Sequence, residues 1–332
     1  MAVYTVLSGE AIARLIEPFD IGPLLDFEGV AAGIENTNYF IRTGPPNCSS
    51  EDHTAPTQEF VLTIFEHINT EQLSFYVELT TLLNHHSLPV PCPIQDIHGA
   101  AIHSIRGKPV LIVPKLKGAH PSQTPSIELC ANLGATLAQI HVATRAHAFN
   151  YSSNRNLSWI KQCADSLRPQ LNTDDQSLLA ELPRFHRRTE EHPDLPQGII
   201  HGDLFRDNAL VEGHQIRGII DFNSAGYGYL LMDLAIAAND WCSKAGGQLD
   251  PNRLKAMTAS YQRIRPITND EETLWNDFLR IAAMRFWVSR LFSQLKPETN
   301  RQTNSLVEPK DPQEFKNILK QRINSPQIWV KH

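Results

Sequence analysis

Cysteine is scarce: five in 332 residues, an odd number, at positions 48, 92, 130, 163 and 242. None forms a CxxC pair, which argues against a disulfide framework or a cysteine-rich zinc site and fits a reducing cytosol. Long apolar runs are missing too. The longest, Tyr229 to Ala238, is interrupted by Asp233 and falls well short of the ~18 residues of a membrane span. The opening MAVYTVLSGEAIARL has no basic leader and no apolar core, so it does not read as a secretory signal. There is no surplus of positive charge: 30 Lys and Arg stand against 36 Asp and Glu, a net charge of −6. A broad phosphate-neutralising face for nucleic acid is thereby disfavoured. No internal repeat and no low-complexity tract appears in the chain.

What is present is an ordinary globular composition, 41% hydrophobic, in a chain long enough for two domains. Ser8 caps an expected helix over residues 8–19, in which Ala11, Ile12, Leu15, Ile16 and Phe19 recur at helical spacing. Strands are expected at residues 27–33, 38–43, 60–65, 94–96 and 110–113. The Pro- and Ser-rich stretch 44–58 reads as a loop. A helix fits 70–85 with Thr70 as its cap, and LPVPCPI stops it. Further helices fit 127–145, 159–171 and 173–192. A strand pair, 209–212 and 215–222, turns at Gly213, and the chain after Met232 is mostly helical. This pattern predicts an α+β fold, with a sheet-rich lobe over residues 1–114 and a larger helical lobe over 115–332.

The densest chemistry lies in GIIHGDLFRDNALVEGHQIRGIIDF. His201-x-Asp203-x4-Asn208 would form a loop anchored by Ile199-Ile200 and Ala209–Val211, and Asp221 ends the next apolar strand. Phosphoryl transfer uses such groups. One carboxylate orients the acceptor hydroxyl and takes its proton, while an amide oxygen and a second carboxylate suit Mg²⁺, a hard cation. An HxD pair is also a common loop cap, and with a distant His it can bind non-haem iron. Only His214 and His332 follow, and neither makes an attractive third ligand.

The segment HGDLFRDN…IIDF resembles the catalytic and metal-binding segments of the aminoglycoside phosphotransferase and choline kinase group, relatives of protein kinases. The resemblance implies a bilobal protein-kinase-like fold with a small antiparallel-sheet N-lobe. It implies a catalytic role for Asp203, Mg²⁺ ligation by Asn208 and Asp221, and supporting roles for His201 and Asp233. Asp233 also reads simply as a helix cap. GIENTNYFIRT resembles the nucleotide loop, which implies ATP contacts at Gly33, Asn36, Thr37 and Asn38. In PVLIVPKLKG the carbonyl of Pro114 and the N–H of Leu116 would meet adenine. His141, in LAQIH, reads as a packing or hydrogen-bonding residue.

One departure stands out. Many kinases of this fold carry a Lys in the third strand, paired with a helix Glu. Here those positions are about Thr63 and Tyr76, so both charges are gone together, and Arg42 and the Asn36–Asn38 loop become candidates for the phosphates. GIENTNYF, FVLTIFEH, LPVPCPI, AANDWC and RIAAMRFWVSRL further resemble bacterial homoserine kinases of the choline-kinase-like type. That resemblance implies a cytoplasmic enzyme of threonine biosynthesis that uses ATP and Mg²⁺ to phosphorylate the L-homoserine hydroxyl. Its partners would be small molecules, with neither nucleic acid nor membrane. Asp203, Asp240, Arg285 and Arg290 are the candidate acceptor-binding residues. For the two arginines a solvated helix face or a salt bridge to Asp277 is the plainer alternative. Choline, methylthioribose or an aminoglycoside are alternative acceptors, and a catalytically dead kinase fold is the alternative of another class.

Overall fold

The computed structural model describes residues 5–30, 36–45, 56–121, 124–149, 151–153, 155–295 and 310–325. Gly33, Cys48, His332 and most of the 44–58 stretch lie outside the described residues. The chain divides into two compact units. The first holds the described residues up to Asn84 together with Pro91–Leu116, and the second holds His85–Val90 with the described residues from Lys117 on.

The first unit opens with helix α1 (Gly9–Ile16), where the Ser8 hydroxyl accepts the N–H of Ala11 at 3.3 Å. The helix stops before the expected Phe19 because Pro18 cannot supply the next N–H. Five strands follow: β1 (Leu24–Gly29), β2 (Asn36–Thr43), β3 (Gln58–Phe65), β4 (His103–Ile105) and β5 (Lys108–Pro114). They form one antiparallel sheet in the order β1-β2-β3-β5-β4. Side chains alternate across it. Tyr39, Ile41, Leu62, Ile64 and Ile112 bury one face against Ile12 and Ile16 of α1. Phe65 and Leu111 pack on the other face with Leu73 of helix α2 (Thr70–His85).

Two sequence expectations change here. α2 is capped by Asn69 rather than Thr70, for the Asn69 Oδ1 accepts the N–H of Gln72 at 2.7 Å. Residues 94–96 form no strand, because the Asp96 carboxylate accepts the N–H groups of His98 and Ala100, both at 2.8 Å, and curls the chain. The strand comes later, as β4. It joins β5 through Arg106 and Gly107, both at positive φ (52° and 76°), as a two-residue hairpin requires.

The second unit contains α3 (Ile127–Thr144), α4 (Leu157–Leu167), α5 (Thr173–Leu178), α6 (Glu181–Glu190), β6 (Gln197–Ile200), β7 (Ala209–Glu212), β8 (Gln215–Ile219), β9 (Gly226–Tyr229), α7 (Leu230–Trp241), α8 (Pro251–Ile264), α9 (Asn269–Leu295) and α10 (Pro312–Asn324). The helix expected over 173–192 is two helices. Pro183 fits only the first turn of a helix, so the chain restarts at Glu181. α3 and α8 pack closely at Gly134, where a Cβ would stand 2.2 Å from the Met257 carbonyl oxygen. β6 pairs with β9 and β7 with β8, both antiparallel. α10 lies on α9 and is fastened by the buried Arg322, which donates to Asn239 Oδ1 (2.9 Å), the Gly247 carbonyl (2.8 Å) and Ser243 Oγ (2.7 Å). No helix among the described residues is long and apolar enough to cross a membrane. Cys92, Cys130, Cys163 and Cys242 are free thiols.

Candidate active site

The segment His201–Asn208 leaves the buried end of β6 (Ile199, Ile200) and re-enters the fold at the fully buried Ala209. Its backbone is held by side chains from two helices. The Asp233 carboxylate of α7 accepts the N–H groups of His201 (2.7 Å) and Gly202 (2.8 Å), one on each oxygen. The Gly202 carbonyl takes Arg285 Nη1 of α9 at 2.5 Å. The Leu204 carbonyl takes the Trp241 indole at 3.1 Å, and the Arg206 N–H donates to Asp240 at 2.8 Å. Gly202 must be glycine: its φ is +76°, and a Cβ would sit 2.7 Å from the Ser224 carbonyl oxygen.

His201 has both ring nitrogens assigned by these contacts. Nδ1 accepts the N–H of Asp203 at 3.2 Å, so Nε2 carries the proton that points to the Ile220 carbonyl at 3.0 Å. Burial pushes its pKa down, and the neutral ring packs against Phe222 with centroids 4.6 Å apart and planes tilted by 50°. Asn208 Nδ2 donates to the Asp203 carbonyl (2.7 Å) and carboxylate (3.1 Å), which fixes the amide so that Oδ1 is the atom able to accept. Asp221 is held in the left-handed region (φ 64°, ψ 66°), with its exposed carboxylate tied to the N–H of Asn223 at 3.3 Å. Such strain in a residue other than glycine concentrates at functional sites. Burial first, then the Asp221 charge, pushes the Asp203 carboxyl up to about 7, against the opposing pull of Arg285.

Asp233 also receives His141 Nε2 at 3.1 Å. Burial would raise its pKa, but the hydrogen bonds and charge of His141 and its loop partners hold it below the usual range. His141 Nδ1 in turn meets the Tyr261 hydroxyl at 2.7 Å, which accepts from Arg265 (3.2 Å), itself paired with Glu271 at 2.8 Å.

Beside the loop lies a cavity of about 330 Å³. Its walls include Phe205, Arg206 and Asp207 of the loop, Asp240 of α7, Arg290 of α9, and Lys310 and Glu314. Three ion pairs line it: Arg206–Asp240 (3.0 Å, with a second contact at 3.1 Å), Arg290–Glu314 (2.7 Å) and Lys310–Asp207 (2.5 Å). Phe205, Phe286 and Phe315 pack together beneath, with centroids 4.4–5.5 Å apart.

The structure thus brings Asp203, Asn208, His201 and Asp233 together, and it sets Asp240 and Arg290 on one cavity. Arg285 is elsewhere, wholly buried behind the loop, where desolvation lowers its pKa to about 10. Asp277 pairs with Arg184 and Arg188 of α6, not with Arg285 or Arg290. In the first unit Thr37 is buried, its hydroxyl given to Glu66 at 2.6 Å, and Asn38 accepts from Thr63 at 2.7 Å. Asn36 begins β2, Pro114 ends β5 and is exposed, and Leu116 is half-buried. Arg42 is an exposed partner of Asp26 at 3.2 Å. Sequence reasoning passed over Arg206, Asp207, Lys310 and Glu314. The first two stand inside the HGDLFRDN motif, and the others have no local signal.

A five-stranded antiparallel sheet unit and a helical unit carrying an HxDxxxxN loop define a phosphotransferase of the protein-kinase-like class. Residues 26–267 match the phosphotransferase enzyme family, to which the chain belongs, and within that family it groups with bacterial homoserine kinases. It is 39% identical over 325 residues to a homoserine kinase of Pseudomonas aeruginosa (98% of this chain, 97% of the relative). It is 37% identical over 334 residues to one of Methylobacillus flagellatus (99% of each). An amicoumacin kinase solved with AMP-PNP and Ca²⁺ shares the fold at a TM-score of 0.65 and 14% identity, covering 96% of this chain and 92% of that one. A microcompartment-associated aminopropanol kinase does so at 0.63 and 16%, covering 95% and 94%.

Proposed function

We propose that the protein transfers the terminal phosphoryl group of ATP to the hydroxyl of L-homoserine, giving O-phospho-L-homoserine for threonine synthesis. The observation that carries this reading is the cavity beside the His201–Asn208 loop, small and lined by both signs of charge as a zwitterion requires. Asp203 orients the acceptor hydroxyl and takes its proton, and a carboxyl pushed to about 7 is suited to that exchange near neutral pH. His201, neutral and fixed by Ile220, sets the Asp203 backbone. Arg290 meets the acceptor carboxylate, and Asp240 and Asp207 offer acceptors for its ammonium group.

Asn208 Oδ1 and the Asp221 carboxylate are hard oxygen donors that fit Mg²⁺. Among the described residues no cluster of three His, Cys, Asp or Glu could hold a metal alone, so a cation held by these two donors would need phosphate and water as further ligands. Held there, Mg²⁺ would supply positive charge against the phosphates. The contacts assigned to Gly33, Asn36, Thr37, Asn38, Pro114 and Leu116 rest on resemblance to the nucleotide sites of this fold. The free thiols and the ATP requirement suit the cytoplasm.

ADP release coupled to product formation tests the reading with L-homoserine, L-homoserine amide and choline. L-Homoserine should be the preferred acceptor. The amide has no carboxylate to offer Arg290 and should lose about tenfold or more in kcat/KM. An amide that reacts as well as homoserine, or choline turning over faster, overturns the zwitterion reading.

A further inference from the structure

The carboxylate that Arg290 is built to receive is already supplied by the chain itself. Arg290 Nη1 holds Glu314 at 2.7 Å and the Asp311 carbonyl at 2.8 Å, and its guanidinium lies 4.5 Å from the centre of the Phe315 ring. The arginine side chain is 11% exposed and the glutamate 54%. A mostly buried, ring-stacked cation is thus joined to a carboxylate with open solvent beside it.

The other two pairs of the cavity differ. Asp240 holds Arg206 through two guanidinium nitrogens and also accepts its backbone N–H, so parting them would untie the catalytic loop. Lys310 and Asp207 are both about half exposed, where water and salt screen them. Only Arg290 combines a desolvated cation with a partner that can leave. Glu314 needs only to rotate its side chain outward from the first turn of α10, whose Asp311 cap stays on the N–H of Gln313 at 2.8 Å.

We propose that Glu314 occupies the acceptor-carboxylate site while no acceptor is bound, and that the carboxylate of the incoming amino acid displaces it. The inference rests on the acceptor reading above and adds a specificity-determining residue to it. An acceptor with its own carboxylate restores the charge that Arg290 gives up. An acceptor without one must either leave Glu314 in place, in a narrowed cavity, or strand a desolvated guanidinium.

Steady-state kinetics on the full chain test this with L-homoserine and its amide as acceptors. Glu314→Gln should lower KM for L-homoserine about three- to fivefold, the upper end of what a partly exposed ion pair sustains, with kcat unchanged. It should leave KM for the amide where it was, because the amide does not compete for Arg290. Arg290→Ala should raise KM for L-homoserine, and adding Glu314→Gln to it should change nothing further. A merely structural loosening of α10 would move both acceptors alike and upward. If Glu314→Gln leaves or raises KM for L-homoserine while the wild-type enzyme still rejects the amide, Glu314 is no competitor and the acceptor reading stands. If wild type and Arg290→Ala treat the amide and the amino acid alike, the acceptor reading fails and takes this inference with it.

Discussion

Asp233 in the second unit and Thr63 in the first occupy two positions where kinases of this fold commonly place charge. At Asp233 the carboxylate is wholly buried, and its partners are two backbone N–H groups and an imidazole. At Thr63 a hydroxyl bonds to Asn38 at 2.7 Å, and the helix position opposite carries Tyr76, whose ring meets Phe65 edge-on at 6.0 Å. One charged pair of the first unit, with a buried carboxylate, is Glu66–Lys108. Glu66 also binds Thr37, and so it belongs to the sheet face of Tyr39 and Ile41. A Lys–Glu pair can be exchanged for neutral partners if both charges go together, whereas a lone survivor would be costly. A carboxylate that collects backbone N–H groups has no such substitute, because the backbone donors remain.

The comparison is tested first at its functional end. Asp203→Asn should lower turnover about 10²-fold or more, since the hydroxyl loses its proton acceptor. Its melting temperature should hold or rise, because the variant removes a desolvated charge beside Asp221. Near-normal turnover would show that the loop is not the catalytic element. Asp233→Asn should cost about 2–4 kcal/mol in denaturant titrations and reduce turnover as well, for an amide offers one acceptor oxygen where two N–H groups need one each. Unchanged stability would dissolve the distinction between the two positions. On the other side, Thr63→Lys should cost about 1–2 kcal/mol by leaving a half-buried charge without a partner. Combining it with Tyr76→Glu should recover part of that loss, a coupling of about 1 kcal/mol. Strictly additive losses would mean that the two positions do not meet.

The smallest expected effect concerns acid. Glu66 is pushed upward by burial but brought below its usual pKa by Lys108, Thr37 and Thr5. A depressed carboxyl stabilises fully above its unfolded pKa, and the contribution fades as the pH falls through the lower folded value. Glu66→Gln should therefore cost about 1 kcal/mol near neutral pH, with the gap to wild type closing below about pH 4. Melting curves across that range would show it, and a gap that widens in acid would reverse the sign.

Much of this was legible in the residues. The HxDxxxxN spacing and its apolar flanks place the His201–Asn208 loop, Ser8 places the start of α1, and strands expected at 38–43 and 60–65 fall within β2 and β3. Arg285 and Arg290 read alike in sequence but fall five residues apart on one helix. That spacing turns them about 140° from each other, so only one can face the cavity. β9 is GYGY, with no branched apolar residue to announce a strand. Asp233 read equally as a cap, and only the register of α7 against β6 shows which donors it meets. Lys310 is 103 residues from Asp207, and no local pattern encodes so distant a pair.

The place of α10 gives this enzyme a schedule. A ribosome releases Asp203 and Asn208 roughly 5–20 s before Lys310 and Glu314, at ordinary elongation rates of 5–20 residues per second. During that interval the nascent chain carries the His201–Asn208 loop without Lys310 and Glu314, which wall the cavity beside it. That wall is fixed only after α10 has emerged, when Arg322 slots in among Asn239, Ser243 and Gly247.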